Sequence, residues 1–520
     1  MLRFLPLIAS LVMTTGLCAQ EDLEARLDAV KEFKRYFKKA KEDALQVEAI
    51  MTLEGNECAA AAVALLKLLK HKKAVVQDAS LKILATFSEQ PTFQSLIDAL
   101  PKEKDSTKVA TWTKVLGRSK IEAAIPAIEA AATGNRASST VRYEAARALT
   151  LIGLPGATDL LSSCLSDPEP LVRLAACDAV AKIKIKELAG EVTNLLKDSQ
   201  WQVQTAAIEA VAQLRQQNSV QPLIDLMRKE GRLQVECADA LFRITGMDFG
   251  IAPERWQSQW KTLMSIEGWR IPTDDELAQK AATRKKYDAL YGRKDETNSF
   301  AGIPTTSTNV LFVIDVSGSM DDLVVEVDKF RDYKDRKRFT IVQTELLNTL
   351  DTLSANTNFN ILAFATDVKS WKPRLVPANV VNIDSAKSFV KRLKPIGGSE
   401  AQELAASGLG GAANLGAGKT NTLKALLYGF GINPDKPPKP KVTGIDKKAL
   451  TKPLDTIYFL SDGRPSAGKL IDTNEILAEI NKQNEQYRLV IHTIAIGDFQ
   501  KEFLQQLAQS NGGVFVDLGR

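Results

Sequence analysis

The chain has 520 residues, a hydrophobic fraction of 44%, a charged fraction of 25% and a net charge of +5. That length exceeds one ordinary core and calls for two or three domains. The small net charge, with no dense basic run carrying interleaved aromatics, speaks against a dedicated nucleic-acid binder.

Residues 1–19 read as a secretory signal: Arg3 gives the positive start, FLPLIASLVM the apolar core, and LCA before Gln20 the cleavage site. The apolar run is too short to span a bilayer, so no transmembrane segment is expected after cleavage. Leu17 stands before Cys18, where a lipoprotein signal needs a small residue. The cysteines that follow are Cys58, Cys164, Cys177 and Cys237, with no CxxC pair, and His71 and His492 are far apart. A zinc site is therefore not expected. The four cysteines lie mostly at apolar positions and read as small buried thiols. An oxidising compartment leaves a Cys164–Cys177 disulfide open.

Residues 20–246 read as helical, with an internal repeat over 40–246. Val76, Val109, Val141, Val172, Val203 and Leu233 recur about every 32 residues. The clearest copies are VRYEAARAL, VRLAACDAV and VQTAAIEAV, each placing small or apolar residues on one helix face. A second helix follows in each unit: AAIPAIEAA, GATDLLSSCL, ELAGEVTNLL and SVQPLIDLM. Two helices per period predict a solenoid of stacked hairpins, with alanines allowing close approach. The copies resemble short HEAT-like repeats.

Residues 247–306 break the period. Trp256 and Trp260, four apart in MDFGIAPERWQSQW, fall on one helical face and read as a cap of the solenoid rather than an aromatic ligand cage. Lys285 to Asn298 is charged and aperiodic and reads as a linker.

From residue 307 the pattern becomes α/β. Strand-like NVLFVID, FNILAFA, TIYFLSD, LVIHTIAIG and VFVDL alternate with helical FTIVQTELLNTLDTL, SAKSFVKRLK, TNTLKALLYGF, NEILAEINKQNEQ and EFLQQLAQ. The alternation predicts a doubly wound, Rossmann-like sheet with its site at the carboxyl ends of the strands. The first strand delivers Asp315 to that rim, with Ser317 and Ser319 at alternate positions after it. One carboxylate and two hydroxyls suit a hard divalent cation such as Mg²⁺ and leave coordination positions open.

Three loops, in order, make this half resemble the von Willebrand factor A domain. DVSGSM matches that family's D-x-S-x-S metal motif, GKTNTLKAL its threonine loop at Thr420, and FLSDGRPSAG its second acidic loop at Asp462. The resemblance implies that Ser317, Ser319 and Thr420 ligate the metal directly. It implies that Asp315 and Asp462 act through ordered waters. The cation is expected to be Mg²⁺, with Ca²⁺ or Mn²⁺ as alternatives. Neutral hydroxyls leave it electrophilic, ready to take an Asp or Glu carboxylate from a protein partner.

The sequence departs from the family pattern at Lys419, where glycine is usual, and at PIGGSE, Pro395 to Glu400, which makes Ser399 a rival to Thr420. DKFRDYKDRKR, Asp328 to Arg338, and the Gly/Ala-rich stretch of 397–418 are extra segments expected on the metal face, as a partner-selecting rim or as solvated loops. A third insert, NPDKPPKPKVTGIDKKALTKP over 433–453, is expected on the opposite face as a solvated loop. GAGKT, Gly416 to Thr420, imitates the end of a phosphate-binding loop, but Ala413 replaces the required glycine and no strand precedes it.

No nucleophile with a base is visible, and His492 lies inside a predicted strand. The expected function is binding rather than catalysis: a secreted or periplasmic adhesion or scaffold protein, with the solenoid as a second protein-binding surface. A metal-assisted hydrolase using the same Asp/Ser/Thr set is the alternative. The envelope assignment rests on an analogy of domain arrangement.

Overall fold

Periodicity in the first half becomes a run of helices whose apolar faces meet each other. The computed structural model describes residues 5–134, 137–291, 299–304, 306–324, 330, 333, 335–397, 418–436, 442–462, 464–497 and 501–518. The repeat copies form helices Ser139–Ile152, Pro170–Ile183 and Trp201–Leu214, and the intervening segments form Ile125–Thr133, Thr158–Leu165, Ala189–Asn194 and Val220–Met227. The anchors Val76, Val109, Val141, Val172 and Val203 are buried, and Leu233 is half-buried. Asp105 and Ser138 open their helices by accepting backbone N–H groups from Lys108 and Val141 respectively.

Contacts gather the chain into two compact units. The first holds Met1–Ser199, Glu209–Leu214 and Pro438–Ile445. The second holds Gln200–Ile208, Arg215–Pro437 and Asp446–Arg520.

Within the first unit the small residues set the spacing. Ala145, Ala146, Ala175 and Ala176 are fully buried. A Cβ on Gly117 would stand 2.5 Å from the Cα and Cβ of Ala148, so Ser106–Arg118 and Ser139–Ile152 touch backbone to backbone. An arginine recurs one repeat apart. Arg142 Nη2 donates to Asp167 Oδ1 at 3.1 Å, and Arg173 donates to Asp198 at 2.7 and 2.9 Å. Each arm also caps a carbonyl, of Ala137 and Asp167 respectively. These bidentate pairs pin the turn of each hairpin. In the third insert residues 442–445 belong to this unit and are half-buried, the Val442 carbonyl accepting from Lys114 Nζ, while Asp435, Lys436, Lys447 and Lys448 are exposed. Cys58, Cys164, Cys177 and Cys237 are buried free thiols, so no Cys164–Cys177 disulfide forms.

The second unit begins with helices. Trp256 and Trp260 are buried in helix Pro253–Met264, packed edge-on against Phe249 and Trp269. These contacts are side-chain packing. Helix Asp274–Tyr291 runs through the first half of the segment read as a linker, and residues 292–298 lie outside the described ones. The helix persists because Arg284 stacks on Phe242 and pairs with Asp239 and Asp248.

A short hairpin of β1 (Ser299–Phe300) and β2 (Ile303–Pro304) precedes the sheet. The sheet is built from β3 (Asn309–Asp315), β4 (Asn358–Phe364), β5 (Val368–Ser370), β6 (Val376–Pro377), β7 (Thr456–Ser461), β8 (Val490–Ala495) and β9 (Phe515–Asp517). Its order is β5-β4-β3-β7-β8-β9, with β6 also on β4. The β4-β3-β7-β8-β9 pairings are parallel, and β5 and β6 add antiparallel pieces at the β4 edge.

Alternation within the strands divides two cores. Phe312, Ile314, Ile361, Tyr458 and Leu460 face helices Arg338–Thr352 and Val380–Arg392. Leu311, Val313, Phe364, Ile457 and Phe459 face Thr422–Gly429, Thr473–Tyr487 and Lys501–Ser510. Each large side chain so buried contributes about 1.5–3 kcal/mol. The doubly wound arrangement read from the sequence is therefore the one observed. From β3 the chain crosses to β4, then returns past β3 to β7. That reversal opens a crevice at the carboxyl ends of β3 and β7.

Candidate functional site

The crevice is lined by the residues that end those strands. Asp315 closes β3 and is fully buried. The Ser317 N–H donates to its Oδ1 at 2.8 Å, and the Ser461 hydroxyl, ending β7, donates to its Oδ2 at 2.6 Å. Ser317 Oγ and Ser319 Oγ stand 3.3 Å apart, and the Ser319 hydroxyl donates to Asp462 Oδ1 at 2.9 Å. Asp315, Ser317, Ser319 and Asp462 thus share one hydrogen-bonded cluster.

Thr420 reaches the same rim through its backbone. Its N–H donates to Ser466 Oγ at 2.9 Å, and its carbonyl accepts from Ser466 and Ala467 at 2.9 and 3.2 Å. Asn421 N–H donates to Ala365 O, just past β4, at 3.0 Å. The threonine loop is therefore clamped between the end of β4 and the loop that carries Asp462. Ile396 N–H donates to Val316 O at 2.8 Å, bringing the start of PIGGSE to the rim. Ser399 and most of 397–418 lie outside the described residues. Lys419 is exposed, its N–H donating to Thr366 Oγ1 at 3.2 Å.

Two members were not anticipated. Ser461 was hidden as the last residue of an apolar strand. Arg338 sits at the end of the charged stretch Asp328 to Arg338, yet is buried. Its Nη1 donates to Asp462 Oδ2 at 2.7 Å and to Ser319 O at 3.3 Å. The described part of that stretch is no solvated loop. Leu323 and Lys337 pair antiparallel, Lys337 Nζ meets Asp321 at 2.8 Å, and Phe330 is buried.

Burial pushes the Asp315 carboxyl up to about 7, helped by the neighbouring Asp462 charge. Burial also raises Asp462, against the Arg338 guanidinium, which pulls it down. Among the described residues no group of three or more His, Cys, Asp or Glu is placed to hold a metal. Any metal at this rim would therefore depend on hydroxyls. The 3.3 Å between the Ser317 and Ser319 hydroxyl oxygens suits one, since neighbouring oxygens around Mg²⁺ stand about 2.9 Å apart. Ser317, Ser319 and Thr420 would hold the ion, with Asp315 and Asp462 orienting them. Neither histidine is a base here. His492 is buried, stacks on Tyr458 and accepts the Val514 N–H, and burial lowers it to about 4. His71 accepts the Lys73 N–H.

The family profile described as von Willebrand factor type A domain matches residues 308–410 and 440–517, and that of HEAT repeats matches residues 158–241. The chain is a von Willebrand factor A (VWA) domain protein with HEAT-like repeats. Inter-alpha-trypsin inhibitor heavy chain H1 of Mesocricetus auratus is 25% identical to it over 240 residues, 46% of this chain and 21% of the relative. Heavy chain H4 of Homo sapiens is 27% identical over 215 residues, 41% of this chain and 18% of the relative. The match spans about a fifth of the length of these relatives. Among solved structures, a von Willebrand factor type A protein from Catenulispora acidiphila aligns with 42% of this chain and 40% of its own, at 19% identity and a TM-score of 0.27. The VWA domain holds the Asp315 cluster, and no helix among the described residues is long and apolar enough to cross a membrane.

Proposed function

We propose that this protein is an extracytoplasmic, metal-dependent binding protein of the adhesion or scaffold kind. Its VWA site takes a divalent cation, Mg²⁺ with Ca²⁺ or Mn²⁺ as alternatives, on Ser317, Ser319 and Thr420. Asp315 and Asp462 hold the hydroxyls in place, and the ion accepts an Asp or Glu side chain of a protein partner. The helical repeats offer a second protein partner a surface. The observation that carries the reading is the convergence of the Ser317 and Ser319 hydroxyls, 3.3 Å apart, with the Asp315 and Asp462 carboxyls at the switch point of the sheet. The placing outside the cytoplasm rests on the signal-like N-terminus.

Binding is favoured over hydrolysis because the cluster has acids and hydroxyls but no histidine base beside it. The test is thermal unfolding of the full chain with and without millimolar Mg²⁺. Binding to the folded state alone raises the melting temperature, and Asp315→Ala should abolish the rise. An unchanged curve for the unaltered chain would sink the metal reading. Capture of an envelope protein that EDTA reverses supports partner binding. Turnover of a phosphoester or peptide that chelation stops would support hydrolysis instead.

A further inference from the structure

Arg338 occupies a place that its own helix disfavours. It is the first residue of Arg338–Thr352, where the helix presents its positive end and a cation is unwelcome. Burial adds to the cost, and its Nε is buried with no partner among the described residues. What holds the side chain there is the metal rim: Asp462 Oδ2 at 2.7 Å, Ser319 O at 3.3 Å and Asp322 Oδ2 at 3.9 Å. A guanidinium in this position is a resident positive charge beside the candidate cation site.

We propose that Arg338 sets the selectivity of the metal site by making cation binding weak on its own and strong with a partner's carboxylate. The inference rests on the metal reading above and extends it. The ionised pair Asp315 and Asp462 carries two negative charges, which a divalent ion alone would cancel. Arg338 adds one positive charge, and Asp322, 3.9 Å from it, is half-exposed and screened by water, so the buried part of the loaded site is left with a surplus. That surplus repels the ion when it arrives alone and attracts a carboxylate once it is seated. A unit charge a few ångströms from a divalent ion alters its affinity by about tenfold or more, even at the dielectric of a protein surface.

The test uses the full chain, Mn²⁺ as the probe ion and acetate as the probe carboxylate. Free Mn²⁺ is followed by electron paramagnetic resonance. Arg338→Gln and Arg338→Met remove the charge, one keeping a donor and the other the arm's bulk. Both should bind Mn²⁺ about tenfold more tightly than the unaltered chain. Acetate should tighten Mn²⁺ binding most in the unaltered chain. Equal or weaker Mn²⁺ binding in the neutral variants overturns the inference and leaves the metal reading intact. No Mn²⁺ binding in any of the proteins removes both. Where neither neutral variant folds, the unaltered chain decides, since an Mn²⁺ affinity that acetate leaves unchanged overturns the inference.

Discussion

Asp315 answers to two opposed demands. Its carboxyl is held up to about 7, from an ordinary 3.8, chiefly by burial. Folding without metal therefore favours the protonated acid. That stability is complete below about pH 4 and is lost as the pH rises through about 7. A divalent ion needs the ionised pair, so its binding strengthens as pH rises and releases protons. Asp315→Asn keeps an acceptor for the Ser317 N–H and gives Ser461 a neutral partner. Melting temperatures taken across about pH 5 to 8 should fall less steeply for this variant without metal, and Mg²⁺ should not raise them. At this scale the sequence was partly legible. Asp315, Ser317 and Ser319 follow one apolar strand, and local pattern marks them. Arg338 reaches Asp462 across 124 positions. Runs of charge normally face water, and nothing near Arg338 marks it as the residue that turns inward.

Packing between helices turns on single contacts. Gly117→Ala would gain about 1 kcal/mol of helix propensity. The new methyl would meet the Ala148 backbone at 2.5 Å, and forcing apart two packed helices costs about 1–3 kcal/mol. The clash should win, lowering the denaturant midpoint of the helical unit. Elements with strong periodicity were readable: NVLFVID is β3 residue for residue, and the repeat helices match the copies. β5 and β6 were not, because pieces of three and two residues have no period. Helix Val380–Arg392 starts before its apolar stripe because Asn379 caps it, while Val380 and Val381 stand exposed.

For the molecule as a whole, the telling residue is Arg232. Its Nη1 donates to the carbonyls of Asp455, beside β7, and Arg488. It also pairs with Glu236 at 2.6 Å and lies over the Trp201 ring. One buried guanidinium thus ties helix Leu233–Thr245 and Trp201 to the amino-terminal edge of the sheet, all within the second unit. Arg232→Ala should destabilise that unit by about 3 kcal/mol, since it strands buried acceptors and Glu236. A calorimetric scan should show the lower transition. The sequence did not reveal this allegiance, because the repeat pattern runs through Trp201–Leu214 without a break. The four buried thiols acquire a use from the same division. Cys58, Cys164 and Cys177 lie in the first unit and Cys237 in the second, with burial pushing Cys164 up to about 12 and Cys237 upward as well. An alkylating reagent reaches them only when their surroundings open. The chain thus carries native clocks for the opening of each half, readable by mass and needing no added label.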